Sequence, residues 1–190
     1  MDIRPLSVSG SFVVTPRVHA DERGEFVEWF RADLLHEATG LQFSVAQANL
    51  SVSGKGTLRG IHFADVPPGQ AKYVMCATGA IRDYVVDIRV GSPTYGKWDA
   101  VDISAAERNA VVLDVGLGHA FLALDDNTTV TYLVTDHYKP QSEHAINPLD
   151  MGIGLEFPLE RQELLLSEKD VSAPGFADVA AAGLLPTWEG

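Results

Sequence analysis

Lys72-Tyr73-Val74-Met75-Cys76-Ala77-Thr78-Gly79-Ala80-Ile81-Arg82-Asp83-Tyr84-Val85-Val86-Asp87-Ile88-Arg89-Val90 is the stretch whose reading decides the fold. Residues 72–78 and 80–90 are apolar or alternating runs rich in Val, Ile and Tyr, and Thr78-Gly79 between them is turn chemistry, so each run is predicted to be a strand. The same signature recurs outward in both directions, at 24–30, 43–50, 57–63, 98–103, 110–115, 119–124 and 128–134. Ser53-Gly54-Lys55-Gly56, Pro67-Pro68-Gly69, Gly91-Ser92-Pro93 and Asp125-Asp126-Asn127 punctuate these runs. Many short strands at this spacing predict an all-β protein, a sandwich or jelly roll barrel with a few short helices. Helical patterning is confined to 31–38, where Leu34, Leu35 and Ala38 share one side ahead of Gly40, and to the Ala-rich 176–185, which stops before Pro186. No repeat, low-complexity linker or charge block divides the chain, so residues 1–190 are expected to form one domain, with the end after Pro174 loosely held.

Composition narrows the function. At 46% hydrophobic and 21% charged, the 190 residues can build a real core. No apolar run approaches the roughly 20 residues that span a bilayer, and residues 1–10 lack a basic start followed by an apolar block, which predicts a cytoplasmic protein. Cys76 is the single cysteine, which rules out an internal disulfide and argues for a free buried thiol rather than a cysteine zinc site. A net charge of −12 without any basic run repels nucleic acid and anionic membranes. A phosphate-bearing substrate would therefore have to meet a few focused cations, with Arg23, Arg59 and Lys72 the positions to follow.

Histidines in a jelly roll first raise a metal-dependent centre. The six here, His19, His36, His62, His119, His137 and His144, include no pair separated by one residue, the spacing that puts two ligands on one face of a strand. No metal is expected. Within Gly56-Thr57-Leu58-Arg59-Gly60-Ile61-His62-Phe63, alternation sets Arg59 on the face opposite His62, and alternation past it sends Gln70 and Lys72 to one face. Taken singly, each has a bland reading: His62 a satisfied imidazole, Arg59 a structural ion pair, Lys72 an exposed lysine. Tyr132, sharing a face with Val130 and Val134, reads as core, and Ser167-Glu168-Lys169-Asp170 reads as a solvated turn.

The order of motifs changes that balance. Asp21-Glu22-Arg23-Gly24-Glu25-Phe26-Val27-Glu28, Gln47-Ala48-Asn49, Leu58-Arg59-Gly60-Ile61-His62-Phe63, Gln70-Ala71-Lys72, Val86-Asp87-Ile88-Arg89, Gly91-Ser92-Pro93-Thr94-Tyr95-Gly96-Lys97-Trp98, Gly118-His119-Ala120-Phe121, Tyr138-Lys139-Pro140 and Ser167-Glu168-Lys169-Asp170 follow one another in sequence. With these the chain resembles the dTDP-4-dehydrorhamnose 3,5-epimerase family and its 3-epimerase and 5-epimerase relatives. The resemblance implies a cupin-type jelly roll, a homodimer exchanging an edge strand, no metal and no cofactor, and a dTDP-4-keto-6-deoxy sugar nucleotide as substrate. It further implies His62 as the base helped by Asp170, Lys72 beside the sugar ketone, and Tyr132 as the acid. Arg23, Phe26, Glu28, Gln47, Asn49, Arg59, His119, Tyr138, Glu143 and Lys169 would line the nucleotide-sugar site, with Arg23 and Arg59 on the diphosphate.

The chemistry explains why these residue types belong together. A ketone at C4 acidifies the hydrogens on C3 and C5, and the enolate left by deprotonation places its charge on the C4 oxygen, where a lysine stabilises it. Inversion then needs a proton from the opposite face. Two runs depart from the family pattern, Leu117-Gly118-His119-Ala120-Phe121 and Ala145-Ile146-Asn147-Pro148-Leu149-Asp150, and leave open whether C5 is processed as well as C3. The departures make the chain more similar to the relatives that build modified sugars for secondary metabolites. The alternatives are a 3,4-ketoisomerase of the same class of substrate and a silent sugar-nucleotide-binding cupin.

Overall fold

The alternating runs become strands, and every strand pair in the sheets is antiparallel. The computed structural model describes residues 1–189. In chain order the elements are β1 (Asp2–Pro5), β2 (Ser11–Thr15), β3 (Val18–Asp21), β4 (Gly24–Val27), α1 (Ala32–Thr39), β5 (Gln47–Ser53), β6 (Leu58–Ala64), β7 (Lys72–Thr78) and β8 (Ala80–Val86). They continue with β9 (Trp98–Ser104), β10 (Ala110–Leu113), β11 (Gly118–Ala123), β12 (Thr128–Val134), β13 (Glu143–Ala145), α2 (Glu168–Val171) and α3 (Phe176–Ala181). A six-stranded sheet has the order β1-β2-β10-β7-β12-β5, a five-stranded sheet the order β13-β6-β11-β8-β9, and β3-β4 is a separate hairpin. This is the all-β jelly roll that the spacing of the runs predicts.

Three apolar layers hold the sheets. Val74, Cys76, Val111 and Val130 of one sheet meet Ile81, Val85, Ile103 and Phe121 of the other, and this cluster fills the interior. Behind the five-stranded sheet, Phe63, Tyr84 and Leu122 pack against Leu164, Val179 and Leu185 from the C-terminal segments. Behind the six-stranded sheet, Tyr73, Val112 and Leu133 pack against Leu35 of α1 and Phe43. Gly40 ends α1 in the left-handed region at φ +78°, and its N–H donates to the His36 carbonyl at 2.8 Å, the helix stop its position suggests.

The C-terminal end is docked, not loose as expected. Val179 and Leu185 are buried, the Val90 N–H donates to the Pro186 carbonyl at 2.8 Å, and the Trp188 N–H donates to the Val90 carbonyl at 2.9 Å. Apolar side chains that cover a sheet face order the backbone that carries them, whatever its nearness to a terminus. The α3 helix also stops at Ala181, short of the predicted 185, because the chain must turn at Gly183, φ +70°, to lay Leu185 on the core.

One polar knot secures the far side of the sandwich. Arg89 and Asp87 are both buried and paired at two points, Nε to Oδ1 at 2.9 Å and Nη2 to Oδ2 at 2.8 Å. Ser92 and Thr94 hydroxyls donate to the same carboxylate, the guanidinium also reaches the Ser9 carbonyl, and its carbon lies 4.3 Å from the centre of the Trp188 ring. Removing one partner strands the other as a buried charge, which costs about 3–5 kcal/mol. Arg89→Met is therefore expected to lower the unfolding free energy from urea melts by that amount, seen as a lower midpoint at an unchanged m-value. A loss below about 1 kcal/mol would show that the knot contributes little.

Candidate active site

A bulge in β6 builds one wall. His119 of β11 pairs with His62 and Phe121 pairs with Arg59, so between these pairs the single residue Ala120 on β11 faces two, Gly60 and Ile61, on β6 and the register shifts. Directly opposed residues point to the same side, and His119 and Phe121, two apart, share a side. Arg59 and His62 consequently project together into the interior, which corrects the expectation that alternation separates them. Gly60 makes the bulge possible: its φ is +109°, and a Cβ there would sit 2.3 Å from the His119 carbonyl oxygen.

The facing wall comes from the six-stranded sheet. Tyr132 of β12 is opposed by Val74 of β7 and Asn49 of β5, and Val134 by Lys72 and Gln47, so Gln47, Asn49, Lys72 and Tyr132 all point inward. Between the walls opens a cavity of about 360 Å³ lined by Gln47, Asn49, His62, Lys72 and Tyr132, together with Gln70, Tyr138, Glu143, His144 and Lys169. A groove of about 700 Å³ on the outer face of the same sheet is larger, walled by Val27, Trp29, Leu50, Met75 and Leu133. It holds no histidine, and its walls are mostly apolar; chemistry, not size, marks the smaller cavity.

Inside the smaller cavity, His62 Nε2 lies 2.7 Å from Asp170 Oδ1, with the imidazole about a third exposed and the carboxylate only 5% exposed. Burial pushes the Asp170 carboxyl up, but hydrogen bonds from His62 and Ser167 and the charges of His62 and Lys169 outweigh it and hold the group below its ordinary value. Lys72 is buried and makes no ion pair among the described residues; burial lowers its pKa against the opposing charges of Glu143 and Asp83. Burial, aided by Glu143 and opposed by Arg59, raises the Tyr132 phenol, so it keeps its proton at neutral pH. The arrangement brings an imidazole, a lysine amine and a protonated phenol around one space.

Of the residues marked in the sequence, His62, Lys72, Tyr132, Gln47, Asn49, Tyr138, Glu143 and Lys169 meet around this cavity. Asp170 stands behind His62. Arg59 and His119 face the interior on the same wall; Arg59 Nε donates to Ser53 Oγ at 3.2 Å, and His119 is 2.7 Å from buried Asp83. Arg23, Phe26 and Glu28 are not brought to it: Arg23 and Phe26 line a separate recess on the β3-β4 hairpin, Arg23 is paired with Asp21, and Glu28 holds Arg31. Three histidines each face a carboxylate, the third being His144 with Asp65 at 2.6 Å. Among the described residues no group of three or more His, Cys, Asp or Glu is placed to hold a metal ion.

The sequence profile of the family described as dTDP-4-dehydrorhamnose 3,5-epimerase matches residues 5–178. The chain belongs to this family. Among the epimerases of the family, a Mycolicibacterium smegmatis protein named dTDP-4-dehydrorhamnose 3,5-epimerase is 54% identical over 188 residues, 99% of this chain and 92% of its own length. The solved structure of the Mycobacterium tuberculosis rmlC epimerase has a TM-score of 0.97 at 47% identity and covers 100% of this chain and 95% of that one. ChmJ, a 3'-monoepimerase from Streptomyces bikiniensis solved with dTDP-quinovose, has a TM-score of 0.92 at 48% identity, over 97% of this chain and 92% of its own. The jelly roll of this family member is thus of the cupin type shared by these epimerases.

Three residues that line or back the epimerase cavity are given no role by the sequence reading. Asp83 carries a weak signal, an acid inside the apolar run Ala80–Val86, and it is wholly buried against His119. Gln70, in the loop before β7, reaches the cavity with its amide nitrogen donating to the Asp136 carbonyl at 3.2 Å. Ser167 caps α2, in a stretch whose charges suggest only a solvated turn; burial of Asp170 is the fact that the charge pattern hides.

Proposed function

We propose that this chain is a cofactor-independent isomerase that epimerises a dTDP-4-keto-6-deoxyhexose at C3, through an enolate, in the biosynthesis of a deoxysugar. The observation that carries the reading is the placement of the two proton-carrying groups: His62 stands on one sheet and Tyr132 on the facing one, with the cavity between. A sugar ring held there has the imidazole on one side and the phenol on the other. His62, oriented by Asp170, removes the C3 proton; the charge that develops on the C4 oxygen meets the Lys72 ammonium; Tyr132 returns a proton to the opposite face. The substrate ketone is the electron sink, so this route asks no cofactor to take up electrons. Gln47, Asn49, Tyr138, Glu143 and Lys169 bind the nucleotide-sugar around the rim, and Arg59 and His119 meet it from the wall.

The same reading gives a homodimer. Strand β5 ends its sheet with one edge unpaired, and Leu50 and Val52 on it are exposed. Arg23, Phe26 and Glu28 lie on and just after an exposed hairpin away from their own cavity, where a second copy could receive them; in this reading Arg23 contacts the diphosphate of the neighbouring site.

Incubation with dTDP-4-keto-6-deoxyglucose in heavy water, followed by NMR, tests the proposal. Deuterium at C3 with inversion is the expected result, and label with inversion at C5 as well identifies a 3,5-epimerase. Migration of the carbonyl to C3 without inversion identifies a ketoisomerase. Folded protein that exchanges neither carbon is a binding protein, and the epimerase reading fails.

A further inference from the structure

We propose that Ser167 is a positioning residue for the proton transfer, holding Asp170, and through it His62, by one hydroxyl that serves both the carboxylate and the helix that carries it. The inference rests on the reading of His62 as the base. Ser167 Oγ donates to Asp170 Oδ2 at 2.9 Å and accepts the Asp170 backbone N–H at 3.1 Å. Oδ1 of the same carboxylate meets His62 Nε2 at 2.7 Å. Each carboxylate oxygen therefore has its own partner, one setting the imidazole and one fixing the rotation of the carboxylate about its own bond.

The helix makes this hydroxyl matter more than an ordinary cap. Residues Glu168–Val171 form a single turn of four residues, too short to be held by its own cooperativity. Ser167 caps its start and the Asn147 amide donates to the Val171 carbonyl at its end, and Asp170 lies within it, 3% exposed. With Oδ2 unpartnered in a buried place, the carboxylate loses the contact that aims it, and the imidazole loses its fixed direction. Ser167 is exposed and stands outside the cavity lining, so any effect on the reaction passes through Asp170.

A cap that serves stability alone and a residue that positions the base make different forecasts. Glycine preserves nearly all of the N-cap preference but has no hydroxyl, while threonine keeps the hydroxyl. Ser167→Gly is expected to lower kcat about tenfold, the scale of a catalytic group displaced by a fraction of an ångström, with KM for the 4-keto sugar nucleotide and the thermal midpoint little changed. Ser167→Thr is expected to restore most of the rate. In an Asp170→Asn background the glycine substitution should change kcat by less than about twofold, because the group it acts through has gone. Natural kcat in folded Ser167→Gly overturns the proposal, and so does an equal loss in both backgrounds. If Asp170→Asn alone keeps the natural rate, the assignment of the His62–Asp170 pair fails first, an outcome read independently of either serine variant.

Discussion

His62→Asn is expected to lose deuterium exchange at C3 by on the order of a hundredfold or more, while still binding the sugar nucleotide. The imidazole is the one cavity histidine that is both partly exposed to the space and backed by a buried carboxylate on the same side, at 2.7 Å. Asparagine keeps a hydrogen-bonding group near Asp170 but cannot take a proton at neutral pH. The rim residues are untouched by the change, so dTDP titration by calorimetry should give an affinity close to that of the natural protein. Exchange at a near-natural rate in the folded variant would mean that another group is the base, and loss of dTDP binding would mean that His62 serves recognition.

Tyr132→Phe separates exchange from inversion. Exchange requires only that a proton leave and return on the His62 side, whereas epimerisation requires return from the Tyr132 side, so the variant should continue to wash solvent deuterium into C3 while forming at least about a hundredfold less epimer. Burial and the Glu143 charge raise the phenol's pKa, which keeps the proton available for donation. Phenylalanine leaves the ring packed beside the interior cluster to which Tyr132 belongs, and the fold should persist. Epimer formed at the natural rate by Tyr132→Phe would place the acid elsewhere, and loss of exchange together with inversion would make Tyr132 part of the deprotonation step.

Legibility differed between elements for reasons that can be named. The strands Lys72–Thr78 and Thr128–Val134 run as predicted because both lie inside a sheet, where burial on at least one face enforces a strong apolar pattern. Strands β1 and β3 are almost wholly exposed and β13 has three residues, so neither periodicity nor composition marks them. The run from Ala80 leaves its sheet at Val86 instead of Val90, because Asp87 and Arg89 turn into the polar knot with Ser92 and Thr94. Family motifs singled out His62, Lys72, Tyr132 and Asp170 as the proposed catalytic set; spacing alone favoured the bland reading of each.

The sequence by itself determined the all-β class, most of the interior strands, the lack of a compact histidine pair along any strand, and membership of a family whose motifs run through most of the chain. Tertiary structure alone decided which polar residues share a space. The bulge at Gly60 reverses the alternation that would have parted Arg59 from His62, and that reversal depends on contact with β11, some 60 residues away in sequence. It likewise parted Arg23, Phe26 and Glu28 from the cavity with which their motif groups them, and it buried Asp170 under a single helical turn behind His62. Periodicity reports which face of a local element meets apolar matter. Which polar groups converge is set by register between distant strands and by the packing of one sheet on the other, and no local pattern encodes either.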